Sequence, residues 1–192
     1  EATVTPTEIY EESILSCSGS GWLDPDSDTQ TDLIVWTVNS TEVASSSSIS
    51  GELFSRGDTV FCAVTPFDGE DMGAPVSSSP ITVRNSVPVV SSVGFSTLSP
   101  TSISGITALP VAEDADNDTL GYAYYWTVGG QPVLLPTDTS TLGSDDFDVG
   151  DTISVIASAC DSESCGVGVP STVTATVVNS PPEVVSVSLS PT

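Results

Sequence analysis

The 192-residue chain has no lysine and no histidine, and its two basic side chains are Arg56 and Arg84. These absences exclude a Ser-His-Asp triad, a histidine metal site, a lysine Schiff base and a phosphate-loop lysine. They also exclude lysine–asparagine isopeptide staples. Against the two cations stand 26 acidic residues, giving a formal net charge of −24. Charged residues total only 15%, so the imbalance is a deficit of cations, not the added acid of a halophilic protein. Without a basic patch, nucleic acid and anionic membrane surfaces are excluded as partners. Metal ions and neutral surfaces remain. Long apolar runs are missing too: none approaches the roughly 18 residues of a membrane-crossing helix. No leader precedes Glu1, from which we expect a mature chain or an excerpt of a longer one.

What is abundant points to strands. Ser and Thr account for 56 residues, and short bursts of Val, Ile and Thr alternate with Gly, Pro, Asn and Asp. Helix-period stretches are absent, so the composition implies an all-β chain long enough for two domains of about 90 residues.

The chain also repeats itself. DPDSDTQTDLIVWTVNSTEV (24–43) aligns without a gap on DADNDTLGYAYYWTVGGQPV (114–133), an offset of 90 that matches Trp36 to Trp126. The offset is 93 at FSRGDTV (54–60) and FDVGDTI (147–153), and 94 at VRNS (83–86) and VVNS (177–180). Insertions therefore fall between strands, as loops vary. SVPVVSSVGFSTLSPT (86–101) returns as SPPEVVSVSLSPT (180–192), and TVTPT (3–7) resembles its tail. We expect repeat 1 over 1–86, repeat 2 over 87–180, and the first strand of a third repeat over 181–192, a window on a longer tandem array. Short proline joints at Val87-Pro88 and Pro181-Pro182 favour a stiff or semi-stiff string.

Seven strands are expected in repeat 1, near 2–6, 12–18, 31–38, 41–45, 48–54, 58–65 and 76–84. Alternation puts Val60, Cys62 and Val64 on one face and Ile34, Trp36 and Val38 on another. Two sheets closing over such faces form a β-sandwich. The cysteines fit this scheme by paired replacement. Cys17 aligns with Val111 and Cys62 with Val155, while Cys160 and Cys165 align with Phe67 and Met72. Members of each pair change together, as for disulfides Cys17–Cys62 across the sheets and Cys160–Cys165 across the mouth of the last hairpin. Zinc would ask for CxxC spacing or histidines, and a redox pair for CxxC on a helix. Disulfides imply an oxidising compartment.

Cys17, Trp36 and Cys62 on the second, third and sixth strands resemble an immunoglobulin-type domain. DADNDTLGYAYYWTVGGQPV is similar to tandem bacterial Ig-like and PKD-like (polycystic kidney disease type) repeats, with an acidic D-x-D-x-D loop before a strand bearing Tyr and Trp. The usual Trp-Asp-Phe-Gly-Asp signature of those repeats is replaced here by WTVNS and WTVGG. The resemblance implies tandem sandwiches in an extracellular or cell-surface spacer or adhesive stalk.

The acidic loops are the candidate site. Asp24, Asp26 and Asp28, and likewise Asp114, Asp116 and Asp118, should lie at one pole of their sandwich. Asp68, with Glu70 and Asp71, and Asp161, with Glu163, should join them from the last hairpin. Asp114, Asp116, Asp118 and Asp161 are expected to crowd the joint between repeats with no base nearby. Calcium takes six to eight oxygens in such loops, and there it would hold neighbouring repeats in line. The alternative is a set of solvated Asx turns; neither loop has the Gly and trailing Glu of an EF-hand. The FxxGDT stretches read as turn corners with Phe54 and Phe147 plugging the core. Trp22 has no counterpart in repeat 2 and is the aromatic open to ligand contact. Asn39 and Asn117 head glycosylation sequons.

A carboxylate pair for glycoside hydrolysis is compatible with this composition, but small tandem sandwiches seldom offer the cleft. The reading is a non-catalytic structural segment whose partners are neighbouring repeats of the same chain. Rival readings are a module binding surface glycans or proteins, and a filament in which segment 183–190 completes an identical subunit.

Overall fold

The computed structural model describes residues 1–184, 186 and 188. They divide into two compact units, one of residues 1–86 with 115–117, the other of residues 87–114 and those from 118 on. Half of the expected opening strand of a third repeat, residues 185, 187 and 189–192, lies outside the described residues, and with it half of the strand-exchange segment 183–190.

In the first unit the strands are β1 (Ala2–Thr5), β2 (Ile14–Gly19), β3 (Thr31–Val38), β4 (Thr41–Ala44), β5 (Ser48–Ser50), β6 (Thr59–Phe67), β7 (Val76–Ser77) and β8 (Ile81–Thr82). They form two antiparallel sheets, ordered β1-β2-β5 and β4-β3-β6-β7, with β8 also on β6. Alternation builds the core as expected: Val60, Cys62 and Val64 of β6 are buried, with half-buried residues between them. Trp36 is fully buried, and its indole N–H donates to the Ser46 carbonyl at 2.9 Å. The ring thus enters the core without leaving a donor unsatisfied. Phe54 closes the core. The Cys17–Cys62 disulfide ties β2 in one sheet to β6 in the other, and Cys62 pairs with Trp36 across the β3–β6 ladder.

The second unit repeats the plan with β9 (Val89–Phe95), β10 (Ile106–Glu113), β11 (Gly121–Val128), β12 (Gln131–Pro132), β13 (Thr141–Leu142), β14 (Thr152–Cys160), β15 (Val169–Pro170) and β16 (Ala175–Thr176). The sheets are β13-β10-β9 and β12-β11-β14-β15, with β16 on β14. Trp126 is buried, and its N–H donates to the Thr139 carbonyl at 2.9 Å. Phe147 closes this core as Phe54 closes the first.

Two expectations are corrected. Leu15 pairs with Ile49 and Ile106 with Leu142, all four buried. Two residues further on, Cys17 therefore corresponds to buried Ala108, and not to Val111, which is 55% exposed. The strand β10 continues past Pro110 to Glu113, and Val111 lies in this extension beside a bulge. The seventh strand is also broken, into β7 and β8 in one unit and β15 and β16 in the other. Between β7 and β8 the hydroxyl of buried Ser78 accepts from the Cys62 N–H at 3.1 Å, and the Ser78 N–H donates to the Cys62 carbonyl at 2.8 Å. Ser171 makes the same two bonds with Val155. A side chain thus replaces one ladder bond where the strand bends away.

Candidate functional site

The acidic loops leave the sandwiches where the ladders of the larger sheets begin. Thr31 faces Phe67 across β3–β6, and Gly121 faces Cys160 across β11–β14. In each unit the loop before the Trp strand therefore opens beside the last hairpin.

In the first loop, Asp24 Oδ1 accepts from the N–H groups of Asp26 and Ser27 at 2.6 and 3.0 Å. This is an Asx turn, and Ser27 takes a left-handed φ of 66°. Asn117, its counterpart, has φ 57°. Asp26 and Asp28 are exposed.

The second loop differs. Asp114, Asp116 and Asp118 are all half-buried, and a carboxylate oxygen from each lies within 4.8 Å of the others. Among the described residues this is the one place where three such ligands gather. Asp118 N–H donates to Asp114 Oδ1 at 3.2 Å. The Asp116 side chain is only 2% exposed and accepts from the Ser86 N–H at 2.6 Å and its hydroxyl at 3.0 Å. Arg56 Nη1 stands 4.0 Å from Asp116 Oδ2. The expectation of a cluster far from any base is thus corrected: one of the two arginines reaches it, held by the Asn85 side chain and a bond from its own N–H to Glu11.

The last hairpins use their aspartates as caps. Asp68 Oδ1 accepts from Asp71 N–H at 2.7 Å and Glu70 N–H at 2.8 Å. These two bonds, that from Asp71 first, hold its pKa below the ordinary carboxylate value. Asp161 accepts from Glu163 and Ser164 N–H in the same way, at 2.6 and 2.5 Å, and from the Ser164 hydroxyl at 3.1 Å. Beneath each turn sits one antiparallel bridge, Phe67 to Met72 in the first unit and Cys160 to Cys165 in the second. Cys160 and Cys165 are disulfide-bonded, with Cα atoms 4.0 Å apart. Asp68 and Asp161 lie outside the three-carboxylate group.

The GDT corners are built by the same means. Gly57 and Gly150 have φ of 86° and 96°, which an L side chain resists. Asp58 and Asp151 accept from the N–H three residues earlier, both at 2.8 Å. The sequon residue Asn39 is engaged too: its amide N–H donates to Asp58, and its Oδ1 accepts from Thr59 N–H at 3.0 Å. Sequence reasoning missed the contacts of Arg56, Ser86 and Asn39, because each partner is remote in the chain.

The order of both pairs of sheets, three strands facing four with β4 and β12 beside the Trp strands, is that of an immunoglobulin-type sandwich. No family model matches the chain, and no curated protein does. Among solved structures, it is similar to the FN1–FN3 domains of chicken CNTN1, with 15% identity, a TM-score of 0.39 and 93% of this chain covered. It spans 64% of the length of that chain. It is also similar to fibronectin(III)-like modules of Clostridium thermocellum CbhA, with 12% identity, a TM-score of 0.33, and coverage of 93% of this chain and 95% of that one. A two-domain fibronectin type-III segment of chicken tenascin matches at 13% identity and a TM-score of 0.40, covering 88% of this chain and 95% of that one.

Proposed function

We propose that the chain is a non-catalytic structural segment of an extracellular or cell-surface fibre or stalk, made of tandem Ig-like repeats that have their neighbours in the chain as partners. The observation that carries this reading is the use of polar side chains at matching places in both units. Asp58 and Asp151, Asp68 and Asp161, and Ser78 and Ser171 all satisfy backbone groups. Their chemistry is spent on the fold. Two disulfides suit an oxidising compartment.

Stretching the full chain by single-molecule force tests the reading. Two unfolding events are expected, and reductant should lengthen one by the loop that Cys17 and Cys62 close, a separation of 45 residues, or about 150 Å at full extension. A chain that extends without resolvable unfolding peaks contradicts a mechanical role.

A second element of the proposal is calcium at Asp114, Asp116 and Asp118, favoured by their convergence within 4.8 Å. Arg56 and Ser86 compete for Asp116, so weak binding is expected, in the range of about 0.1–1 mM found in extracellular modules. At calcium tenfold above Kd the gain is about 1.4 kcal/mol. The melting temperature should rise with calcium and fall with chelator, and Asp118→Asn should abolish the response. Identical melting in both conditions removes calcium from the proposal.

A further inference from the structure

The loop between β2 and β3 runs from 20 to 30, whereas its counterpart between β10 and β11 runs only from 114 to 120. The difference is one of conformation more than of length: Leu15 stands 21 residues before Trp36 and Ile106 stands 20 before Trp126, so residues 20–23, Trp22 among them, lie in a loop where the second unit extends β10 to Glu113. Trp22 lines a cavity of about 210 Å³ within the first unit, with Gln30, Asp32, Pro66 and Val76 on its other walls. Sites that enclose a drug-sized ligand span about 300–1,000 Å³, so this one suits a single ring held at the surface.

The polar groups are set in advance. Gln30 Nε2 donates to Asp32 Oδ1 at 2.8 Å, and Gly19 N–H donates to Asp32 Oδ2 at 3.3 Å. These bonds fix the carboxylate on its strand and turn the Gln30 amide towards it. No Lys or Arg lines the cavity, Glu1 lines it with Asp32, and the Glu1 ammonium already donates to the Ser20 carbonyl at 2.6 Å, so an anionic ligand is disfavoured. The N–H donors on both Asp32 oxygens already offset part of the carboxylate charge, which reduces its pull on a cation. A neutral hydroxyl can still donate to their remaining lone pairs. Beside them Trp22 offers a flat apolar surface with a polar edge.

We propose that this cavity binds one ring of a neutral saccharide, its apolar face on Trp22 and its hydroxyls hydrogen-bonded to Asp32 and Gln30. This adds a binding activity to the structural role and does not depend on it.

Fluorescence of the full chain tests the site, because Trp36 and Trp126 are 0% and 2% exposed and Trp22 should dominate any ligand response. The probes are glucose, galactose, mannose, N-acetylglucosamine and cellobiose, with a tetralysine peptide as the cationic comparison. At least one sugar should give a saturable shift with a Kd on the order of 1 mM. Saturation-transfer NMR should then show binding weakened about tenfold or more in Trp22→Ala, with Asp32→Asn weakening it as well. The melting curve of each variant reports folding. Three results overturn the proposal: no saturable response to any sugar up to about 50 mM, sugar binding unchanged in folded Trp22→Ala, or salt-screened binding of tetralysine alone.

Discussion

At the tip of the turn after β6, the Asp68 carboxylate faces two N–H groups, and its titration should record them. The bonds from Asp71 and Glu70 lower its pKa from 3.8. Because the folded value lies below the unfolded one, the stabilisation is fully present above about pH 4 and is lost as pH falls through the folded pKa. Asp68→Ala should therefore lower the melting temperature at pH 7, and its gap to the wild type should close in strong acid. A carboxylate resonance for Asp68 that titrates at or above 3.8 would contradict the cap. The sequence marked this turn, since Asp followed by Asp or Ser three residues on carries its own partners. It could not mark Asp116 in the same way: Ser86 is 30 residues distant, and nothing local singles out Arg56. The repeated D-x-D-x-D pattern thus spelled out the loops, while their difference rests on long-range contacts. The first loop folds on Asp24 alone, whereas the second draws three carboxylates together.

The same division holds for strands. Alternation located β3 and β6 closely, because every second residue enters a core. It read residues 76–84 as one strand, because nothing in VSSSPITV announces that Ser78 substitutes its hydroxyl for a backbone acceptor. Ser78→Ala should cost about 1–3 kcal/mol, since the buried Cys62 N–H then loses its acceptor. Chemical denaturation checks this, and Ser78→Thr should retain more of the stability than Ser78→Ala. The hairpins offer a converse experiment. Phe67 and Met72 occupy the bridge that Cys160 and Cys165 occupy in the other unit. Phe67→Cys combined with Met72→Cys should form a disulfide on air oxidation, seen as loss of both free thiols. With so short a loop it adds at most about 2 kcal/mol. Thiols that stay free in the folded protein would show that the two turns differ in geometry. The pairing itself was legible because both residues change together between repeats. The counterpart of Cys17 was not, because the extension and bulge of β10 carry Val111 past the corresponding position.

For the molecule as a whole, the two cores are closed by different chemistry. The first has Cys17–Cys62 between its sheets, and the second has Ala108 and Val155 among the apolar residues of its core. In the loop-entropy model a bridge with a separation of 45 residues contributes about 4 kcal/mol, and one with a separation of 5 about 2 kcal/mol. Domain stabilities are about 5–15 kcal/mol, so losing the first bridge removes a large part of one unit's margin and losing the second much less. Calorimetry of the intact chain should therefore show two transitions that separate on reduction, one moving far down in temperature and the other little. Replacing Cys17 and Cys62 by Ala should reproduce the large shift without reductant, and replacing Cys160 and Cys165 by Ser the small one. Cys17→Ala combined with Cys62→Val distinguishes the bridge from packing, because it copies the disulfide-free core of the second unit, which has Ala108 and Val155 at these places. If both transitions fell equally on reduction, the units would not be unfolding independently, and a mechanical role built on separate repeats would fail with them.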